Sequence, residues 1–142
     1  MGESCEAEVL GLHRFLEDWL SGLLPRTEDA FARFRKVMAE GFAIISPGGV
    51  TSGRDELCAE LERAHGTLAG GEKGLRIWIE DVHCRHASGA IAVVTYAEYQ
   101  ERSGETTGRR ASALLRRKDG TPNGVEWLHL HETWLPDLAP KD

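Results

Sequence analysis

The sequence predicts an α+β fold in which three N-terminal helices cover one face of a curved antiparallel sheet. Three observations carry that expectation. Apolar residues near the start, Val9, Leu12, Phe15, Leu16, Trp19, Leu20 and Leu23, recur at the three-and-four spacing of a helix face. From Leu75 onward, Ile, Val, Trp and Tyr dominate long runs bounded by short turn segments, the pattern of strands. Helices therefore come first and a meander of strands follows, which marks α+β and not a parallel α/β sheet.

Each element has a local cause. Pro25 stops the first helix, since it cannot supply the next backbone donor. Thr27 caps the second, with Glu28 and Asp29 in its first turn complementing the dipole. Phe31, Phe34, Val37 and Met38 make its buried stripe, and Gly41 ends it. Phe42 to Ser46 is a short strand, Pro47-Gly48-Gly49 a turn, and Val50-Thr51 resumes pairing. Ser52 with Asp55 resembles a capping box for a third helix carrying Leu57, Leu61 and Ala64, closed by Gly66. Gly66 to Gly74 holds four glycines; it reads as a mobile loop, either a plain connector or a lid. Leu75 to His86 changes its apolar phase between Ile79 and Val82, which predicts a β-bulge. The strands Ala90–Glu101, Thr107–Arg117 and Val125–Leu135 follow, separated by turns at Ser103-Gly104 and at Asp119-Gly120 through Asn123-Gly124.

The 142 residues make one domain, 1–142, with residues 1–4 and 136–142 expected as flexible ends. A formal net charge of −6 argues against nucleic acid, which needs a concentrated positive field. The basic groups Arg109-Arg110 and Arg116-Arg117-Lys118 read as solvated strand ends. Cys5, Cys58 and Cys84 are odd in number and lack a C-x-x-C spacing, so reduced thiols are expected and neither a disulfide framework nor a zinc knuckle. No apolar run approaches the roughly 20 residues of a membrane span. The acidic start lacks the basic region of a signal peptide and the sixth-position Ser/Thr of a myristoylation signal. The expected location is cytoplasmic.

The last strand is the most informative segment. Strict alternation puts Trp127, His129, His131 and Thr133 on one face and Leu128, Leu130, Glu132 and Trp134 on the other. Neither set is plainly solvent-like, so both faces are expected to be covered. His129 and His131 could ligate a metal, but a catalytic site needs three protein ligands, and only His83 or His86 could supply the third. No metal and no other cofactor are expected.

The order of elements resembles the nuclear transport factor 2-like superfamily, with its cone-shaped α+β fold. Two segments sharpen the likeness. Gly41-Phe42-Ala43-Ile44-Ile45-Ser46-Pro47-Gly48-Gly49 resembles a segment of the SnoaL-like group called domain of unknown function 4440, and Trp127 to Thr133 resembles that group's final strand. The same ending occurs in the association domain of calcium/calmodulin-dependent protein kinase II. The likeness implies that Leu128, Leu130 and Glu132 face the pocket. It also implies that the pocket arginines of the association domain are replaced here by Thr95, Ala113 and Glu132. Alternation from those positions places Val93, Thr95, Ala97 and Tyr99, with Ala111, Ala113 and Leu115, on the concave face. Trp19, Phe34 and Phe42 line the opposite wall, and Leu130 and Trp134 complete it.

The implied ligand is a small apolar or aromatic molecule, held by Glu132, Tyr99 and Thr95 as polar handles; the competing reading is a filled core. Glu132 among Leu130 and Trp134 would have a raised pKa suited to proton transfer, or would pair at the rim with Arg110 or Arg116. The resemblance extends to ketosteroid isomerase, but that chemistry's base position is Ser46 here, its oxyanion acid is missing at Ala111 to Ala113, and the first helix has no tyrosine. Trp127, His129 and His131 are implied at the interface of a homodimer. The expected function is a SnoaL-like small-molecule-binding domain, or a cofactor-independent isomerase, cyclase or hydratase with Glu132 as acid/base and Tyr99 orienting. The alternatives are an assembly module with a vestigial pocket and a metal-dependent enzyme using His129 and His131.

Overall fold

A computed structural model describes residues 1–69 and 74–141. The centre of the expected lid, residues 70–73, lies outside the described residues. Nine elements run in the order α1 (Gly2–Leu20), α2 (Glu28–Arg35), β1 (Met38–Ile45), β2 (Thr51–Gly53), α3 (Arg54–Arg63), β3 (Arg76–Ser88), β4 (Ile91–Arg102), β5 (Glu105–Arg117) and β6 (Val125–Trp134). The strands form one sheet in the order β2-β1-β6-β5-β4-β3. All neighbours are antiparallel except β1 and β6, which run parallel. The α+β expectation therefore holds with a mixed sheet. The parallel pair arises because β1 enters from the helical half of the chain, not from a hairpin with β6.

The caps behave as chemistry dictates. Ala30 N–H donates to Thr27 Oγ1 at 3.2 Å, and Gly53 N–H, not Ser52, starts α3 by donating to Glu56 Oε1 at 3.2 Å. The second helix ends at Arg35, so Val37 and Met38 are buried in the lead-in to β1 and not on a helix stripe. Gly2 to Ser4 form the first turn of α1. Beyond β6, Leu135 N–H donates to Gly108 O, and Gly108 N–H donates to Leu138 O, which ties this segment to β5.

Register decides which side chains meet the helices. In antiparallel pairs, directly opposed residues share a face. Tyr96, Ala111 and Glu132 make one such row, Val94, Ala113 and Leu130 the next, and Glu98, Arg109 and Trp134 a third. Ala92, Leu115 and Trp127 belong to the same inner set, because β6 carries an extra residue, Leu128, between the partners of Leu115 and Leu114. That bulge reverses the phase of β6. The outer face carries Val93, Leu114 and His129, then Thr95, Ser112 and His131. The predicted bulge in β3 is present between Glu80 and His83, with Asp81 in the left-handed region at φ 56°.

The core fills the space between the inner face and the helices. Phe15, Trp19, Phe31 and Phe34 interlock with ring centroids 5.0 to 6.3 Å apart. The carboxylate of Glu8, fully buried, accepts from Arg33 on α2, from Asn123 in the β5–β6 turn at 2.9 Å and from Trp127 Nε1 at 2.9 Å. One charge thus fastens three elements to α1. Both of its oxygens accept two hydrogen bonds each, which offsets the cost of burying a polar group.

Candidate active site

Beyond this packed end, helices and sheet part to leave a cavity of about 380 Å³, within the usual range for small-molecule sites. Its walls are apolar: Leu12, Leu16 and Leu20 of α1, Phe34 of α2, Leu57 and Leu61 of α3, Met38, Phe42 and Ile44 of β1, Ile77 of β3, and Trp127 and Leu130 of β6. One end is polar and is built by His13 on α1, Tyr96, Glu98, Gln100 and Arg102 on β4, Arg109 on β5 and Glu132 on β6.

The polar residues form a directed network. His13 Nδ1 lies 2.7 Å from Val9 O and its Nε2 lies 3.2 Å from Glu98 Oε1. A carbonyl and an ionised carboxylate can only accept, so both ring nitrogens donate and the ring is an imidazolium. Burial works against that charge, but Glu98's charge and hydrogen bond overcome it and raise the His13 pKa. Burial also works against the Glu98 anion. His13 first, then Arg109 and a 2.7 Å bond from Gln100 Nε2, outweigh it and lower Glu98 to about 2. Arg102 Nη2 donates to Gln100 Oε1 at 2.9 Å and holds that amide in place.

Glu132 sits on the same inner face in a different environment. Desolvation, then the neighbouring Glu98 charge, push its pKa up to about 7, against the pull of Arg109. Arg109 Nη1 donates to Glu132 Oε1 at 3.3 Å, a long contact for a charged pair, while the guanidinium lies over the Trp134 ring at 4.8 Å. Two carboxylates in one hollow are thus pushed in opposite directions. Glu98 is held as the anion, while Glu132 keeps its proton well above the ordinary carboxylate range and exchanges it around neutrality, the separation that acid–base chemistry exploits. The Tyr96 hydroxyl is fully buried beside them; it has no hydrogen-bond partner among the described residues, and neither has Arg109 Nε. Burial, then the Glu98 and Glu132 charges, keep Tyr96 protonated.

The site residues expected from sequence divide as follows. Phe34, Phe42, Leu130 and Glu132 line the cavity. Ala113 faces inward beneath the lining, 2% exposed. Trp134 is on the inner side but borders an adjoining cleft under Arg109. Trp19 is buried in the aromatic cluster, with its Nε1 donating to Leu61 O at 2.7 Å. Thr95 and Tyr99 are corrections, since both point to the outer face. Thr95 Oγ1 accepts from Arg85 Nε at 2.8 Å, and Tyr99 stacks on Trp78 at 5.5 Å, away from Glu132. Trp127 is a second correction. The β6 bulge turns it inward, fully buried and bonded to Glu8, so it is no interface residue. His129 and His131 do lie on the outer face. His83 and His86 are on β3, with β4 and β5 between them and β6, a separation of about 14 Å at ordinary strand spacing. Among the described residues no group of three metal-ligating side chains forms.

Sequence reasoning missed His13, Tyr96, Glu98, Gln100, Arg102 and Arg109. The available signal was His13 itself, four residues after Val9 and within the apolar stripe of α1.

A helix layer over a bent mixed sheet, with a polar-ended hollow between them, defines a nuclear transport factor 2-like, or cystatin-like, domain. Solved structures agree. An NTF-2-like protein of unknown function from Pseudomonas aeruginosa matches with a TM-score of 0.81 and 26% identity over 93% of this chain and 98% of that one. A hub homology domain of the Chlamydomonas calcium/calmodulin-dependent kinase matches with a TM-score of 0.64 and 17% identity over 92% and 98%, a likeness of fold alone. Within this fold the chain belongs to the family described as sucrose-6-phosphate phosphohydrolase C-terminal, whose model matches residues 5–136; the family model that matches is thus this one and not that of domain of unknown function 4440. It is 29% identical over 139 residues to sucrose-phosphatase 2 of Nicotiana tabacum, covering 95% of this chain and 32% of the relative. The chain spans about a third of the length of the curated relatives it matches. Among the described residues no helix is long and apolar enough to cross a membrane.

Proposed function

We propose that the domain binds a small molecule in the cavity between helices and sheet, with an apolar or aromatic body against Leu130, Phe42 and Leu57 and a polar head at Glu132. The observation that carries this reading is the buried Tyr96 hydroxyl, left without a partner at the end of a hollow of about 380 Å³. An unsatisfied buried hydroxyl costs on the order of 1–3 kcal/mol, a cost that a ligand oxygen would relieve. The chemistry the end can carry is proton transfer without a cofactor. Glu132 donates, Glu98 stays ionised, and Tyr96, not Tyr99, orients the head group. The relatives are named as sucrose-phosphatases, and their activity resides in chains about three times as long; a hydroxylated head group is compatible with those names.

Methyl NMR tests the reading. Millimolar benzyl alcohol should shift the Leu130, Ile44 and Leu57 signals together, and a Leu130→Trp variant should lose those shifts. Unchanged methyl signals in the parent protein would end it.

A second reading rests on the outer face. Ala43, His129, Leu114 and Val93 form a half-buried row across four strands. This row, with His131 beside it, suits the contact of a homodimer and an assembly role. A cytoplasmic location belongs to the same proposal, supported by three free cysteines, of which Cys84 is exposed.

A further inference from the structure

The polar end has an uneven charge balance. Three cationic groups, His13, Arg102 and Arg109, meet there. Glu98 is committed to His13 and Gln100, Glu132 is the other carboxylate lining the polar end, and Glu105 of β5 borders the adjoining cleft outside it. The remaining acid of the lining, Glu60 on α3, is exposed on the helical side. Once Glu132 carries a proton, three cations face one anion, inside a chain whose formal net charge is −6.

The two arginines also stand where the cavity meets the exterior. Gln100, Arg102 and Arg109 line both the cavity and an adjoining cleft of about 460 Å³, which Ser103 and Thr107 border with hydroxyls and Glu105 with a carboxylate. Burial, then the charge of Arg109, hold the Arg102 pKa below its ordinary value. The two guanidiniums therefore sense each other's repulsion. Among the described residues Arg102 has one side-chain hydrogen-bond acceptor, the neutral Gln100, and Arg109, stacked on Trp134, makes one side-chain hydrogen bond, the 3.3 Å contact to Glu132, with its Nε unused. Two nearby guanidiniums with spare donors form an oxyanion receptor.

We propose that the cavity takes a small organic oxyanion whose acidic group sits between Arg102 and Arg109, and that Glu132 takes up one proton as the anion binds. This deepens the small-molecule reading above and rests on it. The coupling follows from geometry. An ionised Glu132 competes with the ligand for Arg109, whereas a protonated one releases it and can donate to the ligand. The charged or titratable groups that share the cavity with Glu132 are His13 from α1, Glu60 from α3, Tyr96, Glu98 and Arg102 from β4 and Arg109 from β5, with Glu105 of β5 at the adjoining cleft. The residues lining the cavity from α2, β1 and β3 are uncharged. With a Glu132 pKa of about 7, the competent fraction falls about tenfold between about pH 6 and pH 8, and the apparent affinity falls with it.

Calorimetric titration of the full chain with benzoate, which stays ionised over this range, tests the inference, with benzyl alcohol as the neutral probe. Benzoate should bind about tenfold more tightly at about pH 6 than at pH 8, with close to one proton taken up at pH 8 and little at pH 6, read from the dependence of the heat on buffer ionisation. Arg102→Gln should weaken benzoate at least tenfold and benzyl alcohol far less. Glu132→Gln should bind benzoate with an affinity independent of pH. Benzyl alcohol bound as well as benzoate at pH 6, or a slope with pH that survives Glu132→Gln, would overturn the oxyanion proposal while leaving the cavity reading intact. Binding of neither probe would overturn both.

Discussion

At the scale of single residues, the decisive feature is that Glu98 and Glu132, close on one face of the sheet, titrate in opposite directions. The sign of each contribution to stability follows from linkage. Glu132, raised to about 7, holds its proton in the folded chain where the unfolded chain has lost it, between the ordinary carboxylate range and neutrality. Stability therefore falls as pH rises through that window, by on the order of 3 kcal/mol for a shift of this size. Glu98, lowered to about 2, contributes stability above the ordinary carboxylate range that is lost as pH falls toward 2. His13, raised, contributes stability below the ordinary histidine range that is lost as pH rises through its higher value. Glu132→Gln removes the first contribution while keeping an acceptor for Arg109. Its melting temperature should exceed that of the parent at about pH 8 and approach it near pH 5. A variant that melts lower than the parent at pH 8 would contradict the assignment. The sequence showed Glu132 as a candidate acid because apolar neighbours flank it. It hid Glu98 and His13, because a buried ion pair joins residues 85 positions apart, and no local pattern signals such a partner.

At the scale of elements, phase governs the outcome. The helical periodicity of α1, the cap at Thr27 and the β3 bulge were legible because each leaves a local mark. The face of β4 was not. Its inner residues include Glu98 and Gln100, while Ala97 on the outer side is fully buried. Polar groups inside and an apolar one outside blur the alternation that a half-buried strand ordinarily shows. The β6 bulge at Leu128 has no glycine to announce it, so Trp127 was placed with His129 when it belongs with Leu130. The corrected phase leaves Val93, Leu114 and His129 as the outer row on which the proposed dimer depends. Leu114→Glu puts a charge in the middle of that row without touching the core. Sedimentation equilibrium should read twice the chain mass for the parent and the chain mass for the variant. A parent that stays monomeric at tens of micromolar would remove the dimer.

At the scale of the whole molecule, one polypeptide solves two packing problems on a single sheet. One end of the inner face is closed, with Glu8 binding α1, α2 and the β5–β6 turn to Trp127. The other end stays open, with polar groups from α1, β4, β5 and β6 converging on a hollow. The class of fold was readable from the order of elements alone, since helices followed by a strand meander have few ways to bury their apolar faces. The parallel β1–β6 pair and the convergence of His13, Tyr96, Glu98 and Arg109 were not, since both are products of long-range register. The central claim is that the open end holds a carboxylic acid poised near neutrality beside a carboxylate that is not. Following the glutamate side-chain carboxyl carbons by 13C NMR across pH tests it most directly. One carboxyl should titrate with a midpoint near 7, and its signal should be missing in Glu132→Gln. Titration of every glutamate within the ordinary carboxylate range would contradict it.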